Sequence, residues 1–207
     1  MNERIFEEWC DTASEEDKKL RDRLDEFSDF FEDMLFAENS SAGSMVKCQV
    51  KVGDNSWKDD IVFLPEEITY FSYNNFDIRV KPMEKYGGYF DEEKRLLCIS
   101  ETNARDDSVI LHEMIHLHEF VLNGLPLFYH DVLLWVLYDD LKRKIKGLDK
   151  LVSSHAHILE QQSIYDKGGL HDICFLLKSL ELDIRMGYRL GTVFGYDMEK
   201  FAKDLTY

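Results

Sequence analysis

The apolar residues of this chain change their spacing at Ser100, from every second residue before it to every third or fourth after it. Phe76-Asp77-Ile78-Arg79-Val80 alternates apolar and polar side chains, as a strand with one buried face requires. Similar patterns predict strands over 45–52, 60–64, 68–72 and 76–81, then a hairpin over 86–100 turning at Asp91-Glu92-Glu93-Lys94. Beyond Ser100 the spacing predicts helices over about 106–122, 129–145, 149–164, 170–182 and 197–205. Gly191 and Gly195 mark an irregular stretch between the last two. Ahead of the strands, Leu20, Leu24, Phe27, Phe31, Met34 and Leu35 recur at helical spacing, with Ser14 and Asp17 placed to cap. Segregated strands and helices of this kind define an α+β protein, a small twisted sheet packed on helices. Three regions are expected: a helical segment and linker over 1–44, a core over 45–147, and a helical extension packed on that core over 148–207.

The first helix after the sheet carries His112-Glu113-Met114-Ile115-His116. Residues four apart leave one helix face a turn apart, so the two imidazoles can meet at one ion, with metal–nitrogen distances of about 2.0 to 2.1 Å for zinc. Glu113 lies too far round the helix to be an obvious ligand. It is placed to hydrogen-bond a water at the metal, which is where a general base must sit. Asp106, Asp107 or Ser108 can cap this helix, and Val109, Ile110, Leu111, Ile115 and Leu117 give it an apolar back.

A catalytic zinc takes three protein ligands and leaves one position for water. The turn at Asn123-Gly124-Leu125-Pro126 returns the chain towards the motif and makes His130 the expected third ligand, with Glu160, His155 and His157 as rivals. Asp131 can orient an imidazole or cap its helix, and Glu119 fits a supporting carboxylate. His118 faces elsewhere. His171, beside Asp172, is expected to cap or pack. Tyr129, His155 and His157 are candidates to stabilise an oxyanion, and the strand edge near Gly88 to Asp91 could receive an extended substrate.

Composition narrows the setting. Cys10, Cys48, Cys98 and Cys174 are scattered, with no Cys-x-x-Cys pair, and are expected to be reduced. The acidic start lacks the basic and apolar regions of a secretory signal, so a cytoplasmic location is expected. The longest apolar run is too short for a bilayer. A formal net charge of −16 repels phosphate backbones and anionic lipid, which makes nucleic acid and membranes poor partners.

Over about residues 76–146 the chain resembles the SprT-like metallopeptidases, a group of compact zincins. The resemblance rests on Gly87-Gly88-Tyr89-Phe90-Asp91, Leu96-Leu97-Cys98-Ile99-Ser100, the His112 to His116 helix, and His130-Asp131 opening a helix with Leu134-Trp135. It implies a zincin-like fold and a Zn2+ site of His112, His116 and His130. It also implies Glu113 as general base and a peptide or protein substrate. A zinc-binding regulatory or interaction module of the same fold, without turnover, is the alternative.

Overall fold

The computed structural model describes residues 8–32, 44–51, 57–64, 76–123, 128–161 and 171–207, with side chains placed over 8–31, 76–120, 122, 133–155 and 171–207. The expected strand over 68–72 lies outside the described residues. The described part of α1 covers residues 8–12, followed by α2 (Glu15–Glu32), β1 (Ser44–Lys51), β2 (Trp57–Leu64), β3 (Asp77–Lys81), β4 (Gly88–Asp91) and β5 (Leu96–Ser100). Then come α3 (Asp107–Asn123), α4 (Phe128–Lys144), α5 (Leu148–Gln161), α6 (Ile173–Met186) and α7 (Glu199–Ala202). The chain is α+β. Its described strands form two sheets where one was expected: an antiparallel β1–β2 ribbon and a three-stranded sheet in the order β3-β5-β4. β5 runs parallel to β3 and antiparallel to β4, and all five of its residues are buried.

Local chemistry explains how the helices meet the sheet. Ser14 and Asp17 cap α2 reciprocally: Ser14 Oγ accepts from the Asp17 N–H at 3.1 Å, and Asp17 Oδ2 accepts from the Ser14 N–H at 2.8 Å. The other oxygen of Asp17 accepts from the Val80 N–H at 2.7 Å, and the Trp9 indole N–H donates to the Ile78 carbonyl at 2.8 Å. The outer edge of β3 is thereby covered by α1 and α2. β4 forms the other edge of the sheet and, among the described residues, is paired only on its β5 side.

One hydrophobic cluster runs from Leu20 in α2 to Ala202 in α7. α4 contributes Leu133, Leu137 and Leu141, a four-residue stripe continued by Ile145 and Leu148. α6 is buried along Cys174 to Asp183 and packs on both α3 and α4, so it is the central helix. Asp172 caps it by accepting from the Phe175 N–H at 3.0 Å, and Gly187 ends it in the left-handed conformation. Buried Lys178 on α6 reaches the Phe30 carbonyl at 2.5 Å and Glu181 at 2.9 Å, tying α6 to α2. No helix among the described residues is long and apolar enough to cross a membrane.

Candidate metal centre

The motif lies on α3, started by Asp106, whose carboxylate accepts from both the backbone N–H and the hydroxyl of Ser108. His112 and His116 leave its inner face as their spacing requires, with ring centroids 5.1 Å apart. His171, the residue before the cap of α6, meets them: its ring centroid is 5.1 Å from that of His112 and 4.8 Å from that of His116. One ligand nitrogen from each of the three can be chosen so that all lie within 4.8 Å of one another. These largely buried histidines are close enough to hold one metal ion.

Two details orient the rings. His112 Nδ1 donates to the Val193 carbonyl at 3.0 Å, because a carbonyl oxygen can only accept. Its Nε2 is left with a lone pair facing His171 Nε2, 3.1 Å away. Zinc–nitrogen bonds of about 2.05 Å at tetrahedral angles put two ligand nitrogens about 3.3 Å apart, close to that separation. Beneath the three rings lies fully buried Phe175, its centroid 4.8, 4.7 and 4.6 Å from those of His112, His116 and His171. Tyr196 forms a wall, with centroids 5.9 Å from His112 and 5.1 Å from His171. Both Tyr196 and Asp197 hold left-handed backbone angles (φ 49° and 59°), uncommon for residues with side chains.

Burial sets the protonation states. It lowers His112 to about 4 and His116 to about 2, in the latter case with help from the neighbouring imidazoles. Both rings are neutral at pH 7, which is the metal-binding form. Burial likewise pushes the Glu113 carboxyl up to about 8; the residue is 5% exposed and its Oε2 has no hydrogen-bond partner among the described residues. Glu119 Oε2 stands 3.8 Å from His116 Nδ1, an atom that likewise has no hydrogen bond among the described residues. Burial, reinforced by the Asp172 carboxyl, raises Glu119 to about 9.

Gly88 of β4 passes directly over Glu113. A Cβ there would fall 2.7 Å from Glu113 Cγ and 2.9 Å from its Oε1. A side chain there would force Glu113 or Ile99 to shift.

The other predicted residues fall in several places. His130 begins α4, but its side chain lies outside the described residues, as do those of Tyr129, Asp131, His157 and Glu160. His155 is described and buried. It stands behind His171, donating from Nε2 to the His171 carbonyl at 2.8 Å. His118 packs edge-on against Phe31, as expected for a residue on another face. The residue that the sequence reading undervalued is His171, expected only to cap or pack. Asp172 does the capping, and the imidazole is thereby free of that task and turned into the cluster. A histidine just ahead of the Asp172 cap of a largely apolar helix was the available signal.

What fold and site define together is an α+β protein with a buried three-histidine cluster able to take a metal ion. No family model, curated protein or solved structure matches the chain.

Proposed function

We propose that the protein is a zinc-dependent peptidase of the zincin type, with His112, His116 and His171 holding the metal and Glu113 acting as general base. The observation that carries this reading is the convergence of three imidazoles, at least two of them held neutral, beside a buried carboxyl with an unpartnered oxygen. The donor set suits Zn2+: three imidazole nitrogens, with no cysteine among the clustered ligands. The resemblance of residues 76–146 to SprT-like metallopeptidases implies the same activity, with His130 rather than His171 in the third position.

Zinc, when bound, supplies Lewis acidity and brings the pKa of a coordinated water near neutrality. The chain's own residues do the rest. Glu113 takes a proton from the attacking water and delivers it to the leaving amine nitrogen. Without metal, burial keeps Glu113 largely protonated at neutral pH, and a cation bound beside it would favour the ionised form that accepts a proton. Glu119, whose Oε2 lies 3.8 Å from His116 Nδ1, would need to close that gap to orient the ring with Nε2 towards the metal. The open edge of β4, passing over Glu113, can pair with an extended peptide through main-chain hydrogen bonds, which brings the scissile carbonyl to the site in a sequence-tolerant way.

Zinc content and cleavage of an unfolded protein such as reduced casein test this directly. Wild type is expected to carry one zinc and to cleave. Glu113→Gln should keep the metal and lose activity by a factor of about 10² to 10⁴. His171→Ala should lose both, while His130→Ala should keep the metal. Loss of zinc in His130→Ala and its retention in His171→Ala would transfer the third position to His130. Stoichiometric zinc with no cleavage of any unfolded substrate would replace the peptidase with the non-catalytic zinc module.

A further inference from the structure

Behind the cluster, the carboxyl of Asp183 on α6 is fully buried. Its Oδ2 accepts from the Gly191 N–H at 2.6 Å and its Oδ1 from the Val193 N–H at 2.9 Å. These bonds pin the turn whose next polar atom, the Val193 carbonyl, receives His112 Nδ1. The turn has no slack elsewhere. Gly191 sits at φ +95°, and a Cβ there would lie 2.6 Å from the Glu199 nitrogen and 2.7 Å from the Met198 carbonyl carbon, both backbone atoms. Val193 and Phe194 are buried, so no water stands ready to replace the carbonyl if the turn moves.

Resting on the metal-site reading above, the geometry points to Asp183 as a positioning residue for the metal: through Gly191 and Val193 it fixes the Val193 carbonyl, which holds His112 in the Nδ1–H tautomer and aims its Nε2 at the ion. The same helix carries His171 immediately before its N-terminal cap and Asp183 near its C-terminal end. A single rigid element therefore places one ligand directly and orients a second through the turn. A buried carboxylate accepting two backbone N–H groups with both oxygens is suited to this, because neither donor can be released without stranding it.

The test uses the full chain. Zinc affinity is measured by competition with a chromophoric chelator, and the side-chain ¹⁵N shifts of His112 are read in the zinc-free protein. Wild type should show a single Nδ1–H tautomer at His112. Asp183→Asn keeps one acceptor but sets an amide NH2 against the second N–H, so it should weaken zinc binding by about 10- to 100-fold and mix the His112 tautomers. Gly191→Ala, which displaces the turn from its other side and leaves the carboxylate intact, should reproduce both effects. Cooperative unfolding of the zinc-free variants, read by circular dichroism, separates positioning from loss of fold. An Nε2–H tautomer at His112 in wild type overturns the inference without recourse to any variant. So does an Asp183→Asn protein that binds zinc within threefold of wild type, in which case the metal-site reading stands alone. Failure of wild type to take up zinc at all removes both.

Discussion

At the scale of single residues, the site depends on where side chains are missing as much as on where they are present. Gly88 lets β4 cross Glu113 closely enough to shield the carboxyl from water, and that shielding is what raises its pKa. Gly88→Ala would insert a methyl group 2.7 Å from Glu113 Cγ and 2.9 Å from Ile99 Cδ1. Overpacking of this kind costs about 1 to 3 kcal/mol. The easier relief is for Glu113 to swing aside, so the variant should keep its zinc while hydrolysis falls at least tenfold. Unchanged turnover in Gly88→Ala would mean that Glu113 does not need its present position.

At the scale of elements, one carboxylate performs two tasks. Asp17 completes the cap of α2 and also takes the Val80 N–H on the edge of β3, so it joins the first long helix to the sheet under the site. Asp17→Ala strands both backbone donors in a largely buried place. The expected loss is about 1 to 3 kcal/mol in urea unfolding. Glutamate should not rescue it, since its longer arm cannot serve both donors. Arg23, by contrast, grips Asp107 at 3.0 and 2.6 Å but is 39% exposed, and solvent screening makes its removal a much smaller loss.

At the scale of the whole molecule, the buried carboxyls of the unbound site are an electrostatic burden, which on the zinc-site reading the bound cation would relieve. Glu113 and Glu119 have folded pKa values raised from 4.5 to about 8 and about 9. Below pH 4.5 folded and unfolded forms are both protonated. Between there and pH 8 to 9 the folded form holds protons that the unfolded form has released, so stability falls as pH rises. The limiting slope is about 1.4 kcal/mol per pH unit for each carboxyl. His112 and His116, with folded values of about 4 and about 2, act oppositely but only below their unfolded value of 6.5. Zinc-free protein should therefore lose stability between pH 6.5 and 8.5, and zinc should stabilise it more at the upper end of that range. Thermal unfolding with and without zinc across those pH values checks this; a zinc-free stability that rises from pH 6.5 to 8.5 would contradict the buried carboxyls.

The amino-acid sequence by itself determined the α+β order of elements, the cap and apolar back of α3, and the pairing of His112 with His116 around Glu113. All of these depend on separations of a few residues, where helix and strand periodicity is geometry. The irregular turn after α6 was legible for the same reason, whereas the cap was expected at His171 and falls on Asp172. Tertiary structure alone brought in His171, the support of His155 behind it, and the path from Asp183 through Val193 to His112. These join residues far apart in the chain. Their meeting depends on how α6 packs against α3, and burial of apolar area drives that packing without specifying in the sequence which polar side chain will arrive at the seam.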